Sequence, residues 1–131
     1  MAGTPLLDVV DLHAGYGKAE VLRGISIAAQ PSGVITVIGP NGAGKSTLLN
    51  ALMGLLPMRG TLRLGGEDIS RLTLEERVMQ GMALVPEKRE LFGSMPVEDN
   101  LVLGGYRAMK QRVPHWRRQI ENVYALFPRL E

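Results

Sequence analysis

The sequence predicts an α/β fold, with a core of mostly parallel β-strands flanked by helices and an antiparallel β-subdomain at the N-terminus. An apolar run of β-favouring residues, 34–38, passes directly into a glycine-rich stretch, and apolar residues at helical spacing follow at once. A strand, a tight loop and a helix in this order are typical of α/β folds. Before them, two segments of alternating polarity flank a glycine-containing turn, which indicates an antiparallel hairpin.

The N-terminal hairpin is predicted from residues 7–12 and 21–28, whose alternation fits half-buried strands. The glycines within residues 14–17 mark the turn between them. Residues 31–33, Pro-Ser-Gly, then reverse the chain. Residues 34–38 therefore begin the core as a buried strand.

Downstream of the glycine-rich stretch, glycines and prolines divide the chain into short elements. A helix is predicted where apolar residues recur at helical spacing, up to Gly54 and Pro57. Thr73 and Glu76 have the spacing of a capping box, so a helix is predicted over residues 74–80. The remaining predictions, in chain order, are a strand over 61–64, a buried strand over 82–85, a loop over 86–96, a helix over 97–103 and a helix over 115–127.

Residues 39–46 read Gly-Pro-Asn-Gly-Ala-Gly-Lys-Ser, which is the spacing of a phosphate-binding loop. The glycines allow backbone N–H groups to turn inward and line a concavity the size of an anion. Lys45 adds a mobile positive charge, and Ser46 opens a helix whose N-terminus favours negative charge. The Ser46 hydroxyl is also a suitable ligand for Mg²⁺. The stretch therefore predicts a P-loop NTPase core that binds a nucleotide.

Composition narrows the class of protein. Hydrophobic residues make up 45% of the chain and charged residues 21%, which argues against a disordered chain. No apolar run approaches the ~20 residues of a transmembrane helix. Residues 1–5 do not resemble a secretory signal, so we expect a cytoplasmic protein. The absence of cysteine excludes disulfides and thiolate metal sites.

Charge is unevenly distributed along the chain. Residues 106–131 carry six Lys or Arg against two Asp or Glu, whereas residues 1–105 carry nine against eleven. A basic helix can face nucleic acid, anionic lipid or an acidic partner, but an ordinary solvated surface is the commoner explanation. Aromatic and basic residues are not interleaved as on a nucleic-acid platform, so no nucleic-acid partner is expected.

Three features together resemble the ATP-binding-cassette (ABC) ATPases, and specifically those that power import of branched-chain amino acids. They are Tyr16 in the hairpin turn, Asn41-Gly-Ala inside the phosphate loop, and the two segments 84–92 and 95–101. The loop matches the family pattern Gly-Pro-Asn-Gly-Ala-Gly-Lys-Ser-Thr at every position. The resemblance extends over essentially the whole chain, but over only the first half or so of the family domain.

The resemblance implies that the chain binds ATP with Mg²⁺. Tyr16 would stack on adenine and Val21 would flank the base or ribose, although on the residues alone Tyr16 is an ordinary turn tyrosine. Lys45 would be catalytic by bridging the β- and γ-phosphates, Ser46 would hold Mg²⁺, and Thr47 would touch the α-phosphate. The loop residues implied to bind the nucleotide are Gly39, Pro40, Asn41, Gly42, Ala43, Gly44, Lys45, Ser46 and Thr47.

Glu87 stands where most members of the family carry a glutamine near the γ-phosphate. The resemblance implies a catalytic and metal-binding role for it, because a carboxylate can ligate Mg²⁺ through water as an amide does. The alternative is a solvated loop carboxylate beside Lys88 and Arg89. Pro96 also departs from the family, which has a threonine helix cap there. We expect a helix start weaker by about 1 kcal/mol unless Ser94 supplies the cap.

The resemblance divides the chain into parts of one incomplete ABC ATPase domain. They are residues 1–30, the hairpin with the adenine-stacking turn; 31–57, the phosphate-loop strand and helix; 58–85, strands and a short helix; 86–96, the equivalent of the family's glutamine loop; and 97–131, the start of a helical subdomain. In the family the signature, the Mg²⁺-binding aspartate, the general-base glutamate and the switch histidine follow. We therefore expect these 131 residues alone to bind Mg-ATP weakly and not to turn it over. Unpaired strand edges would leave them marginally stable or associated.

The function implied is ATP binding and hydrolysis that energises import of branched-chain or related amino acids. The implied partners are a second ABC ATPase subunit, in a homo- or heterodimer, transmembrane permease subunits and, indirectly, a periplasmic or extracellular binding protein. The implied location is cytoplasmic, peripheral on the inner face of the membrane. Two alternatives remain open: a non-transport ABC ATPase of translation or DNA repair, and a truncated regulatory nucleotide-binding module.

Overall fold

A computed structural model describes residues 3–88 and 90–130, and the chain forms two compact units, Met1–Leu84 and Val85–Glu131. The first unit contains strands β1 (Leu7–Tyr16), β2 (Ala19–Ala29), β3 (Met58–Leu64) and β4 (Glu67–Asp68) and helices α1 (Lys45–Met53) and α2 (Leu74–Gln80). The second contains helices α3 (Val97–Gly104), α4 (Tyr106–Lys110) and α5 (Arg118–Leu126) and a 3₁₀ turn, Pro128–Leu130. No helix in the described part of the chain combines the length and apolarity needed to cross a bilayer.

One antiparallel sheet organises the first unit, with the strand order β2-β1-β3-β4. Strands β1 and β2 form the predicted hairpin, which runs from Leu7 opposite Ala29 to Tyr16 opposite Ala19. Its register shifts near Asp11, whose φ of 54° is left-handed, so a bulge interrupts the ladder there. The antiparallel subdomain is confirmed, and each of its strands is longer than predicted.

The core of the first unit lies between this sheet and α1. Helix α1 follows the glycine-rich stretch as predicted and ends at Gly54, whose φ of 82° suits a residue without Cβ. Apolar residues of the sheet and of one face of α1 meet with little exposure to solvent. They are Val9, Leu12, Ala14, Leu22, Leu48, Ala51, Leu52, Leu62 and Ile69.

The two predicted buried strands, residues 34–38 and 82–85, are wrong. Neither segment is a strand or a helix. Val34 is 91% exposed, Ile38 is 89% exposed and Val85 is 89% exposed. An apolar run becomes a strand only where a neighbour supplies hydrogen-bond partners, and the described strands pair with one another in a sheet that includes neither segment.

Helix α2 is confirmed together with its capping box. The Thr73 hydroxyl accepts the Glu76 N–H at 3.3 Å, and the Glu76 carboxylate accepts the Thr73 N–H at 2.7 Å. The next residue, Arg77, is only 2% exposed, and this burial lowers its pKa. Its guanidinium donates to the carbonyls of Ala51 and Leu52 at 2.9 and 2.7 Å. A cation from α2 therefore satisfies carbonyl groups at the C-terminal end of α1.

The second unit begins with the predicted loop over 86–96, of which Arg89 lies outside the described residues. The Asn100 side chain fixes this loop on α3: it accepts the Phe92 N–H at 3.0 Å and donates to the Pro96 carbonyl at 3.0 Å. Pro96 is the N-cap of α3 and no side chain caps this terminus. Ser94 therefore does not supply the cap that Pro96 lacks.

The C-terminal helix starts later than predicted, at Arg118 rather than at residue 115. His115 has a φ of 54°, and a left-handed residue interrupts a right-handed helix. The short helix α4 was not predicted. A groove of about 420 Å³ is lined by α3, α4 and α5 together with Trp116. The Trp116 ring packs so closely on Gly105 that a Cβ there would overlap it.

Candidate functional site

The glycine-rich loop that precedes α1 depends on two glycines with positive φ. Gly42 has a φ of 85° and Gly44 a φ of 95°. A Cβ on Gly42 would meet open space, whereas a Cβ on Gly44 would lie 3.0 Å from Leu22 and 3.1 Å from Val21. The loop therefore packs against β2 at Gly44, and both backbone geometry and space require glycine there.

The N-terminus of α1 carries backbone donors that the helix itself does not use. Its first intrahelical hydrogen bond runs from the Leu48 N–H to the Gly44 carbonyl at 2.9 Å, so the N–H groups of Lys45, Ser46 and Thr47 precede it. The cap is Gly44, no side chain caps the terminus, and its first turn contains no acidic residue. Unused donors and the positive end of the helix dipole together favour an anion at this terminus.

Lys45 closes the glycine-rich loop on itself. Its ammonium group donates to the carbonyls of Gly39 and Pro40 at 2.7 and 2.8 Å. The Ala43 N–H also donates to the Pro40 carbonyl, at 3.2 Å. The Lys45 charge is thus held over the loop by carbonyl dipoles rather than by a carboxylate, and phosphate oxygens are stronger acceptors for it than neutral carbonyls.

Tyr16 and Val21 lie in the same unit as the loop, at the end of the hairpin and just beyond its turn. Tyr16 pairs with Ala19 as the last rung of the ladder, and its side chain is 53% exposed. It lines an open pocket of about 560 Å³. Val21 is 38% exposed and lies beside Gly44. Tyr16 therefore offers an exposed ring and Val21 an apolar contact for a planar base, and both roles stay predictions.

A charged network at the hairpin end was not identified from the sequence. His13 lies between two carboxylates, with Nδ1 3.1 Å from Glu20 and Nε2 3.2 Å from Asp11. Arg59 donates to the same Glu20 oxygen at 2.7 Å. The hydrogen bond to His13, followed by that to Arg59, lowers the pKa of Glu20. The network depends on the register of β1 and β3, which places His13 opposite Arg59, and the sequence spacing alone does not give that register.

The predicted metal ligands Ser46 and Glu87 fall in different units. Ser46 is exposed in the first turn of α1, whereas its neighbour Thr47 is buried, with 6% exposure. Among the described residues no three acidic or histidine side chains gather into a metal site. With the Ser46 hydroxyl but no acidic cluster, the protein would supply few of the ligands of Mg²⁺, and the phosphates of a bound nucleotide and water would supply most of them. Glu87 lies in the second unit, and its role stays a prediction.

Comparison with known proteins supports a cassette ATPase. The family model for the ABC transporter matches residues 22–129. The branched-chain amino acid transport ATP-binding protein BraG of Pseudomonas aeruginosa is 38% identical over 117 residues, which are 88% of this chain and 49% of that protein. The probable branched-chain amino acid transport ATP-binding protein LivF of Archaeoglobus fulgidus is 32% identical over 126 residues, which are 95% of this chain and 52% of that protein. The chain thus spans about half the length of these relatives.

Relatives with other printed substrates also match. The hemin import ATP-binding protein HmuV of Pseudomonas entomophila is 40% identical over 84% of this chain and 40% of that protein. Among solved structures, a nucleotide-free ATP-binding cassette from an ABC transporter has a TM-score of 0.69 at 30% identity, covering 76% of this chain and 40% of that one. The predicted α/β fold class agrees with these cassettes.

Proposed function

Since the chain belongs to the ABC transporter family, we propose that it is the nucleotide-binding part of an ATP-hydrolysing subunit that energises the import of branched-chain amino acids. One observation carries the nucleotide-binding part of this proposal. The uncapped N-terminus of α1, the glycine-rich loop and the Lys45 ammonium lie together with no carboxylate among the loop residues. This is a site for a polyphosphate rather than for a cation.

Binding would exchange one set of hydrogen bonds for another. The Lys45 ammonium now donates to the Gly39 and Pro40 carbonyls, and it would move to the β- and γ-phosphate oxygens of ATP. The N–H groups at the start of α1 would donate to the same phosphates. Tyr16 would stack on adenine, and Val21 would flank the base or ribose. The loop thus holds the polyphosphate, and the hairpin selects a planar base.

In the first unit, Ser46 would hold Mg²⁺ through its exposed side chain. A role for Glu87 as a ligand through water rests on the resemblance to the family alone. When bound, the ion offsets the negative charge of the triphosphate. Ser46 lies in the first turn of α1, where the backbone N–H groups have no intrahelical partner. In the complete subunit we expect positioning and charge stabilisation to supply most of the catalysis of phosphoryl transfer.

The remaining parts of the proposal concern assembly and substrate. The proposed partners are a second ATPase subunit and transmembrane permease subunits, with a binding protein acting indirectly, and the proposed location is the inner face of the cytoplasmic membrane. BraG and LivF are named as branched-chain amino acid transport proteins, which supports that substrate class for this chain. Because HmuV also matches, hemin is the alternative substrate against which the amino-acid assignment must be tested.

Nucleotide binding is tested by calorimetric titration of the 131-residue chain with Mg-ATP. We expect Lys45→Ala to weaken binding by about 10- to 100-fold, because it removes a charged donor to phosphate. Tyr16→Ala should weaken it about 10-fold, while Tyr16→Phe keeps the ring and the affinity. Lys110→Ala, which removes the same charge from the second unit, is the control. Equal affinity of the wild type and the Lys45→Ala variant would overturn the site.

Substrate class requires a separate measurement on the protein in its own cell. We expect a chromosomal Lys45→Ala substitution to reduce uptake of labelled leucine, isoleucine and valine while leaving hemin uptake unchanged. Loss of hemin uptake alone would contradict the amino-acid assignment and keep the nucleotide site. Because the in vitro titration does not depend on the transported substrate, the two parts of the proposal can fail separately.

A further inference from the structure

A strongly basic stretch in the second unit has no part in the nucleotide site. Residues 106–118, here called the basic segment, contain five Lys or Arg and no Asp or Glu. Four of these cations have exposed side chains and, within the described part of the chain, no ion-pair partner. They are Lys110, Arg112, Arg117 and Arg118. The positive charge of these four side chains is therefore not neutralised by carboxylates of the described residues.

The basic segment also exposes apolar and aromatic surface among its cations. Tyr106, Met109 and Lys110 fall on one face of α4, at positions i, i+3 and i+4. Tyr106 is 39% exposed and Met109 46% exposed, and Val113 beyond the helix is 43% exposed. The Lys110 ammonium lies 5.5 Å from the centre of the Tyr106 ring. Such a mixture of cations, aromatic rings and apolar side chains is typical of surfaces that lie in a membrane interface.

We propose that the basic segment binds the anionic phospholipid surface of a membrane. The cations would contact phosphate headgroups, and Met109 and Val113 would enter the boundary between headgroups and acyl chains. Nucleic acid offers the same phosphate chemistry but no apolar phase for these two side chains, so the exposed Met109 and Val113 favour the membrane. The contact needs no nucleotide and goes beyond the proposed ATPase function.

The arrangement of the two rings supports an interfacial role as well. The Arg117 guanidinium lies 5.7 Å from the Trp116 ring, as Lys110 does near Tyr106. Each pair holds a cation beside an amphipathic ring, the combination that settles at the headgroup level of a bilayer. Trp116 is half-buried against Gly105, so its position in the second unit is fixed before any lipid is bound. The basic segment would thus bind with little ordering of its own.

The test is co-sedimentation of the full chain with vesicles of phosphatidylcholine mixed with phosphatidylglycerol, compared with phosphatidylcholine alone. We expect binding only to the anionic vesicles, and weaker binding as salt is raised. Each cation contributes roughly fivefold to membrane partitioning, so the triple variant Lys110→Gln, Arg112→Gln, Arg117→Gln should bind about 100-fold more weakly. The charge-preserving variant Arg112→Lys, Arg117→Lys should bind as the wild type does.

A control of equal charge removes three cations from the first unit: Lys18→Gln, Arg23→Gln and Arg71→Gln. This variant should bind anionic vesicles with the wild-type affinity, because the binding depends on the cations of the basic segment and not on net charge alone. The proposal is overturned if the wild type does not bind anionic vesicles, or if the control variant loses as much binding as the triple variant. It is also overturned if a single-stranded RNA displaces the chain from the vesicles at a concentration below that of accessible lipid.

Discussion

The N-termini of α1 and α2 solve the same problem in opposite ways. Every helix begins with N–H groups that lack intrahelical partners and with the positive end of its dipole. At α2 the chain supplies its own acceptors, because Thr73 and Glu76 cap each other's N–H groups and Glu75 adds a second negative charge in the first turn. At α1 the cap is Gly44, which has no side chain, and the first turn contains no acidic residue.

The N-terminus of α2 therefore has a structural purpose, whereas the N-terminus of α1 is available for a ligand. The capping box makes α2 complete within the chain. Helix α1 keeps its donors unused, with a lysine ammonium held nearby on the Gly39 and Pro40 carbonyls. An unsatisfied terminus lowers stability, so α1 must be held elsewhere. Its apolar face packs on the sheet, and Arg77 satisfies carbonyls at its C-terminal end.

The largest expected effect tests whether α2 stabilises α1 through Arg77. Substitution Arg77→Met should lower the free energy of unfolding by about 4 kcal/mol, because it removes the guanidinium that donates to two buried and two partly buried carbonyls. The carbonyl groups that accept from the guanidinium at 2.7–3.0 Å are those of Ala51, Leu52, Ser70 and Leu72. Urea unfolding of the full chain measures the change.

The matched control for this substitution is Arg71→Met. Arg71 is exposed just before α2, and a change there should stay within about 0.5 kcal/mol. Hydrogen exchange should also show that Arg77→Met speeds exchange of the amides in α1. If both variants unfold at the same urea concentration, then Arg77 does not stabilise the C-terminal end of α1 and does not compensate for its uncapped N-terminus.

A smaller effect is expected at the open end of α1. Gly44→Ala should cost about 2 kcal/mol, because a left-handed φ of 95° is unfavourable for alanine and the new Cβ would press on Leu22 and Val21. Gly42→Ala has a similar φ of 85° but open space around the Cβ, so about 1 kcal/mol is expected. Thermal unfolding of both variants measures the two losses of stability. Equal destabilisation would show that packing on β2 is not what requires glycine at Gly44.

Elements whose determinants are close in the sequence were predicted well. The capping box needs only Thr73 and Glu76, and α2 has the predicted bounds. The end of α1 at Gly54 depends on one residue that tolerates positive φ. The residues of the glycine-rich loop are also contiguous, and α1 follows them as predicted, while their role in nucleotide binding stays a prediction. In each case the energy that decides the conformation is local.

Features that depend on distant parts of the chain were not predicted. Residues 34–38 read as a buried strand, yet strand formation requires partners from elsewhere, and they are exposed. Arg77 was missed because its acceptors Ala51 and Leu52 are 26 and 25 residues away. The position of Lys45 on the Gly39 and Pro40 carbonyls was missed for another reason, since a flexible side chain has several acceptors within reach and spacing does not select one.

The smallest expected effect is a pH dependence, which should appear at the N-terminus of α2, where the first turn carries carboxylates, and not at that of α1. Hydrogen bonds from the Thr73 backbone and side chain lower the pKa of Glu76 below its ordinary value of 4.5. A carboxyl group whose pKa is lower in the folded chain adds stability above its unfolded pKa, and this stability is lost as the pH falls through the lowered value. Acid should therefore weaken the start of α2, whereas α1 has no acidic group in its first turn to titrate.

The matched variant for this prediction is Glu76→Gln, because glutamine keeps the acceptor oxygen of the capping box but does not titrate near pH 4.5. Melting temperatures of both proteins, measured from neutral pH downward, should fall more steeply for the wild type once the pH drops below that value. Amide exchange resolved by residue should locate the loss in the first turn of α2. If the melting temperatures of the two proteins fall in parallel with pH, the charge of Glu76 does not stabilise the N-terminus of α2. The capping hydrogen bonds would then be the only difference left between this terminus and that of α1.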